Sequence, residues 1–556
     1  MQHRRRFPLA CDCEPLVSGA FIAEETGTRN ALSWREFVDA MSELVTCSCC
    51  GAAAADTAAL ARPRPAKVKD PAQWAIHPAA KGARLPVREG RYVLPEVSVC
   101  SPGDDDKLRA DVLIEQGSIA AIRPHGASDW TGADVVEECR GLWVSPALID
   151  MHAHMPIWNG LRLPRLFLLQ TLRHGVARLR DAGDLDGSAT PAALALVRSG
   201  RLPGPQVHYA YAFITGAGRS PWANTMQVGS EQDARNVVAT LASLGASWVK
   251  TYENLTPPLI RALSEAAHAS GLGVMGHVPT RFSLEQAAIP DGQHYFGVAP
   301  PQSLRRDHIF ERHVAWEAVD SARLDAVVRA AVENRLAQTP TLRVTEQILE
   351  LERYEEARVA PKYRNALPSF YPDVIWHPSH GLPVYRNLTP TDFDRVRYAI
   401  DGKRELTRRL HAAGGVLRIG TDTQQPFVLP GAALLEEMQS FAACGVPYRE
   451  AWAMATRDAA SALGLDDVGV AREGARADLL VSRVDPRHGI TAANNVALVT
   501  NGKLAMMGDI DAAIEAELGR FRGVIAEHVG RWLIRFAVKR IARDFDRYQA
   551  KPLTFD

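Results

Sequence analysis

The segment Val144-Ser-Pro-Ala-Leu-Ile-Asp150-Met-His152-Ala-His154 joins an apolar run, of the kind buried on both faces of a parallel sheet, to two imidazoles one residue apart. Side chains alternate along a strand, so His152 and His154 project the same way. At the carboxyl end of a parallel strand that direction is where barrel enzymes gather their chemistry. Two imidazoles on one side suit a metal ion. Taken alone, the pair also reads as a hydrogen-bonded structural pair.

Working outward, short apolar strands alternate with helical stretches from residue 142 onward, the pattern of parallel strands joined by crossover helices. Eight candidates stand at Trp143 to Met151, Val176 to Arg180, Gln206 to Ile214, Ser247 to Tyr252, Gly273 to His277, Gln293 to Phe296, Ala337 to Leu342 and Val416 to Thr421. This predicts an α/β fold, a (β/α)8 TIM-type barrel over 142–466. Strand-like segments within 66–141 and again within 467–507, among them Ala477-Asp-Leu-Leu-Val-Ser and Val496-Ala-Leu-Val-Thr-Asn-Gly, predict a small β-sandwich built from both sides of the barrel.

The two ends read differently. Residues 1–65 form an extension with one helix signal, Ser33-Trp-Arg-Glu36, a capping serine followed three residues on by glutamate. Its Cys11, Cys13, Cys47 and Cys50 are candidate thiolates for a structural zinc, with free or buried thiols as the other reading. Residues 508–556 form an amphipathic helical tail, with Ile514, Leu518, Phe521, Ile525, Val529, Trp532 and Phe536 in helical period, expected to pack on the barrel or a second subunit.

Other candidate strand ends carry ligand-type residues: Lys250 at the fourth, His277 at the fifth, His294 at the sixth and Asp422 after the eighth. Each has a plainer role singly, as a paired lysine, core histidines and a helix cap. Their joint position at strand ends points to a metal centre.

Here the sequence resembles the amidohydrolase superfamily, and within it the imidazolonepropionase-like group that includes metal-dependent Xaa-Pro dipeptidases. Matching features are Ser145-Pro-Ala-Leu-Ile-Asp150 before the histidine pair, His174-Gly-Val ahead of Arg180-Asp-Ala-Gly, Thr339-Pro-Thr-Leu, Ala453-Met-Ala-Thr, and Gly474-Ala-Arg-Ala-Asp-Leu-Leu. The resemblance implies a divalent centre of two zinc ions: His152, His154 and Asp422 on one, His277 and His294 on the other, and carboxylated Lys250, formed with carbon dioxide, bridging them. It implies a metal-bridging hydroxide as nucleophile and Asp422 as proton carrier, cleaving a C–N amide or peptide bond of a dipeptide or N-acyl amino acid. A one-metal cyclic-amide hydrolase and a non-catalytic scaffold on the same barrel are the alternatives.

The segment Ile214-Thr-Gly-Ala-Gly-Arg-Ser-Pro-Trp222 departs from the Gly-His pair common in related dipeptidases. Arg219 there is a candidate carboxylate clamp, and Tyr252 a candidate donor to the substrate carbonyl. An insertion, Arg343 to Gly415, carries Tyr354, Tyr363, Phe370, Tyr371, Trp376, His377, His380 and Tyr385, read as a lid or a self-packed subdomain.

Bulk properties narrow the partners. Lys plus Arg and Asp plus Glu are both 64, a net charge of zero that gives no electrostatic case for nucleic acid. No apolar run approaches the roughly 20 residues a membrane span needs, and the N-terminus lacks the apolar core of a signal peptide. A cytoplasmic homo-oligomer acting on a small-molecule or peptide substrate is expected.

Overall fold

The computed structural model describes residues 82–104, 108–156, 161–218, 220, 222–305 and 309–549. Cys11, Cys13, Cys47 and Cys50, the Ser33 helix signal and Arg219 lie outside the described residues. Among the described residues no helix is long and apolar enough to cross a membrane.

One mixed sheet draws strands from both sides of the central region. Its early strands are β1 (Tyr92–Val99), β2 (Leu108–Glu115), β3 (Ser118–Pro124), β4 (Asp134–Val135) and β5 (Trp143–Pro146). Its late strands are β15 (Leu479–Ser482), β16 (Asn495–Thr500) and β17 (Lys503–Met506), giving the order β17-β16-β15-β5-β1-β2-β3 with β4 on β1. Two hairpins in it turn on paired left-handed residues, Gln116-Gly117 and Asn501-Gly502, the geometry that matches strand twist. A Cβ on Gly502 would stand 2.4 Å from Gly117 Cα, so the two turns pack together only with glycine at 502.

The run around Val144 serves two sheets. β5 pairs antiparallel with β15, and the Ala147 N–H still reaches Asp478 O at 3.0 Å. From Leu148, whose N–H goes to Gly175 O, the chain becomes β6 (Leu148–Ala153), parallel to β7 (Val176–Asp181). The single strand expected over Trp143 to Met151 is therefore two, and the change of partners falls at Pro146-Ala147, where proline has no N–H to continue a ladder.

The parallel strands continue as β8 (Gln206–Tyr209), β9 (Phe213–Thr215), β10 (Thr225–Gln227), β11 (Trp248–Thr251), β12 (Gly273–Gly276), β13 (Asp291–Gln293) and β14 (Ala337–Thr339). They form the sheets β6-β7-β8 and β10-β9-β11-β12-β13-β14, every neighbouring pair parallel. Backbone bonds join the two: Ser247 N–H to Tyr209 O on one side, and Met151 N–H to Ile419 O on the other. Val416 to Thr421 is not a regular strand. It bridges β14 only at Leu417, with Gln338 N–H on Val416 O and Arg418 N–H on Gln338 O.

Helices cross between successive strands, among them Leu163–Arg173, Ala189–Arg198, Glu231–Ser243, Pro257–Ala269, Ser321–Glu333 and Pro390–Ala412. The last begins at a reciprocal Thr389/Asp392 capping box with Pro390 at its first position, which restricts the inserted segment to roughly residues 343–389. Beyond β17 come two helices, Met507–Gly519 and Val524–Gln549. Arg520 to Gly523 breaks the phase between them. Ile514, Leu518 and Phe521 are buried as the helical period predicts, whereas Ile525, Trp532 and Phe536 face solvent and Leu533, Ile534, Val538 and Phe545 turn inward.

Candidate active site

Strand ends bring the six expected ligand residues together. His152 lies near the end of β6 and His154 directly follows it, Lys250 lies in β11, His277 follows β12, His294 follows β13, and Asp422 follows the segment bridging β14. The nearest ligand-type atoms of His152, His294 and Asp422 all lie within 4.8 Å of one another. Asp422 Oδ1 is 3.4 Å from His152 Nε2 and 3.2 Å from His154 Nε2, while Oδ2 is 3.9 Å from His294 Nε2. The His277 ring centroid stands 5.0 Å from that of His294.

A polar scaffold orients these rings. Gln293 Nε2 donates to Asp291 Oδ1 at 2.8 Å, so its amide oxygen turns to His152 and accepts the Nδ1–H. His152 Nε2 is thereby left as a bare acceptor pointing into the cluster, buried and without a hydrogen-bond partner. His154 donates Nδ1–H to Gly183 O at 2.8 Å, and His294 Nδ1 lies 2.6 Å from Thr341 Oγ1. Both therefore leave Nε2 toward Asp422. Asp291 is held by Arg180 at 2.6 Å, and the Arg180 guanidinium, fully buried, lies 4.3 Å over the Trp248 ring and donates to Met151 O.

Backbone shape matters as much. Asp150 Oδ1 accepts the N–H groups of His152 and Thr421, binding the two ligand-bearing segments to each other. A Cβ on Gly420 would meet His152 Cβ and N at 2.6 Å, so glycine there admits the close approach. His294 and Asp422 both adopt left-handed φ, 62° and 52°, rare for non-glycine residues and frequent at functional sites.

Burial sets the charge states. It pushes His152 down to about 4 and, with the Lys250 charge, drives His277 well below the imidazole range; His294 is driven down likewise. Burial thus favours the neutral form of these three rings, the form that ligates metal, whereas His154 is raised above the ordinary imidazole range by the Asp422 carboxylate despite its burial. Burial opposes the Asp422 carboxylate, but the His294 and His152 imidazoles hold it well below the usual range. Lys250, fully buried with Nζ unpartnered, is pushed down to about 7 by desolvation. A buried lone pair on His152, a buried amine and a carboxylate side by side fit a cation site: a divalent ion would take the nitrogen and oxygen lone pairs.

Above the cluster lies a largely apolar pocket. Tyr252 lines it, its ring 4.6 Å from that of His277 and 5.1 Å from that of Phe213. Burial holds its hydroxyl above the ordinary range, so it remains a donor. Trp222 lines the pocket too, its ring 6.0 Å from that of Phe213. The insertion both packs on itself and lines the pocket. Tyr363 and Trp376 meet edge-on at 5.8 Å, while Tyr371 and Tyr385 reach the cavity, with Tyr385 Oη donating to Gln425 Oε1 at 2.9 Å.

Several residues here were not anticipated as site components. Gln293, Asp291, Gly183 and Thr341 hold the ligand rings, and His313 lines the pocket with its ring 5.6 Å from that of His294. Gln293 carried a signal, since it directly precedes a candidate ligand at a strand end. His313 lies within the helix Ile309–Val314, and nothing in its sequence context marks it.

Parallel strands carrying histidine, lysine and aspartate at their carboxyl ends define an α/β enzyme scaffold with a candidate metal-binding group. The profile of the amidohydrolase family matches residues 143–507, and the chain belongs to that family, as a hydrolase acting on carbon–nitrogen bonds. No curated protein matches. Among solved structures, a bottromycin amidohydrolase is similar at 23% identity and TM-score 0.59, over 80% of this chain and 92% of that one. A Xaa-Pro dipeptidase with methionine in its active site is similar at 18% and 0.55, over 75% and 100%. The ochratoxinase of A. niger follows at 17% and 0.52, over 75% and 96%. At these identities the structural likeness speaks to the fold.

Proposed function

We propose that the chain hydrolyses the amide or peptide bond of an N-acyl amino acid or dipeptide, at a two-zinc centre in the mouth of a closed (β/α)8 barrel. The observation that carries this reading is the pair of buried, partnerless atoms, His152 Nε2 and Lys250 Nζ, set beside the buried Asp422 carboxylate. Leaving such atoms unpaired in the interior costs about 1–3 kcal/mol each. Ligation removes that cost.

Lys250 suits carboxylation. An amine pushed down to about 7 presents a free lone pair in about half the molecules at neutral pH, the form that attacks carbon dioxide; the nitrogen then releases one proton to solvent, and the carbamate shares a single negative charge over two oxygens. His152, His154 and Asp422 would hold one ion and His277 with His294 the other. When bound, the ions supply Lewis-acid polarisation of the carbonyl and lower the pKa of a water nucleophile. Asp422 takes a proton from the attacking water and returns it to the leaving amine. Tyr252 donates its hydroxyl to the carbonyl oxygen as charge builds there, and Arg219 receives the substrate carboxylate with its planar fork.

The compact trio of His152, His294 and Asp422 supports a second reading, a one-metal hydrolase of cyclic amides with Lys250 uncarboxylated. Metal analysis separates the two: two ions per chain with bicarbonate-dependent activity supports the first, and one tightly held ion in a fully active preparation supports the second. Asp422→Asn tests the chemistry. A loss of at least about 10²-fold in kcat is expected from removing a positioned proton carrier; unchanged turnover refutes that role.

A further inference from the structure

The pocket's walls divide by origin. Strand ends supply its floor, whereas its upper wall comes from the insertion, through Ile375, Leu382 and Val384, and from the C-terminal helix, through Ile534, Ile541 and Phe545. That helix, Val524–Gln549, lies wholly beyond residue 507, where the family match ends. It does not merely lean on the barrel: the Phe545 ring stands 6.3 Å from that of Trp222 across the mouth. Charge divides the same way. Histidines aside, the ionic side chains among the described lining residues are Lys250 and Asp422, both inside the ligand cluster.

A free α-ammonium on the acyl half of a substrate would thus enter an apolar sleeve with no counter-charge among the described residues, and burying an unpaired charge there costs far more than binding returns. An uncharged hydrocarbon or aromatic group meets the opposite situation. We infer that the substrate's acyl half is a bulky, uncharged apolar group, an aromatic or medium-chain aliphatic acyl chain, and that the inner face of the C-terminal helix selects it. This rests on the amide-hydrolase reading above and narrows it toward N-acyl amino acids and away from free dipeptides.

The test compares N-acetyl-phenylalanine, N-octanoyl-phenylalanine and alanyl-phenylalanine as substrates of the zinc-loaded full chain, with calorimetric binding of octanoate to the metal-free chain as an independent readout. Each buried methylene is worth about fourfold, so six more predict a preference for octanoyl over acetyl of at least about a hundredfold in kcat/KM, even with part of the chain left in water. Ile541→Asp should cut the octanoyl-to-acetyl ratio at least about tenfold and weaken octanoate binding alike. Ala537→Phe, which narrows the sleeve without adding charge, should shift the best chain length downward in the same assay. Turnover without chain-length preference, or with the free dipeptide favoured, overturns the inference while leaving the amide reading intact. Absence of turnover on every amide, with octanoate binding that Ile541→Asp weakens, supports the apolar sleeve and counts against the amide reading. Absence of both turnover and octanoate binding overturns the inference.

Discussion

Replacing Gln293 by leucine isolates the link between the scaffold and the proposed metal centre. The side chain touches no substrate; its amide oxygen accepts from His152 Nδ1, and its Nε2 donates to Asp291 Oδ1 at 2.8 Å. Leucine has similar volume, so the cavity contribution is small and the hydrogen bonds dominate. Asp291 keeps Arg180 at 2.6 Å and Thr339 at 2.8 Å, whereas the His152 Nδ1–H, in a fully buried ring, loses its acceptor. One stranded donor costs about 1–3 kcal/mol of folding stability. The loss of ring orientation should weaken zinc binding about 10- to 100-fold, about 1.4–2.7 kcal/mol. Competition with a chromophoric chelator measures the second quantity, and thermal melting of the metal-free protein measures the first. If the variant lost the expected stability while its zinc affinity stayed within twofold of the parent, His152 would be a buried structural histidine and the proposed centre would be wrong.

Three further outcomes are expected. Gly420→Ala places a methyl 2.6 Å from the His152 backbone and Cβ, so it should destabilise the fold by a few kcal/mol and depress zinc retention, read by melting and metal content; a normal zinc complement would show that the two segments can separate freely. Lys250→Ala should retain at most one tightly held metal and lose about a thousandfold in turnover, the scale of one Lewis acid; two retained ions would exclude the carbamate bridge. Lys403, fully buried with Nζ 2.7 Å from Thr345 Oγ1, is pushed down to about 7 by desolvation. Its folded pKa lies below its unfolded one, so the unfolded chain binds the extra proton between about pH 7 and 10.5 and stability rises with pH across that window. Lys403→Met should flatten the rise between pH 7 and 9 by about 2 kcal/mol in denaturant titrations, and an unchanged slope would place the ammonium in a solvated site.

The clustering of the candidate ligand residues was legible because their signals are local. His152 and His154 close an apolar run, and a set of ligand-type residues spaced at strand ends survives errors in strand boundaries: β13 stops at Gln293, before the expected segment had properly begun, yet His294 still falls at its end. Pairing was less legible. The apolar run from Trp143 reads as one strand because partner exchange at Pro146-Ala147 leaves hydrophobicity unbroken. The eighth parallel segment was overread for the converse reason, since its apolar residues are there but only Leu417 bridges. In the C-terminal region one period was carried through Gly519 to Gly523, where the helix actually breaks, so the face assigned to the interior in the second helix was the solvent face, with Trp532 and Phe536 each 62% exposed. Amphipathicity gives a buried stripe only within one unbroken helix. It says nothing of what the stripe covers, and here it covers the mouth of the pocket.

The site concentrates cost in one place, and the costs share a direction. His294, Asp422 and Thr341 all take left-handed backbone, at φ 62°, 52° and 47°. Each such non-glycine residue costs about 1–3 kcal/mol. All three belong to the same side of the cluster, Thr341 touching His294 Nδ1 and His294 facing Asp422. The surrounding bonds over-determine this geometry: Asp422 N–H and Thr421 N–H both reach His152 O, at 2.7 and 2.9 Å, and His294 N–H reaches Thr339 O at 2.9 Å. Strain that is held by so many bonds does not relax when a ligand arrives, so the donors stay aimed and little reorganisation accompanies binding. The apolar sleeve above acts on the same charges from outside, since a hydrocarbon acyl group filling it excludes water and strengthens the electrostatics of the floor. Chain-length preference should therefore show in kcat as well as in KM, because the arm that fills the sleeve also dries the reacting centre.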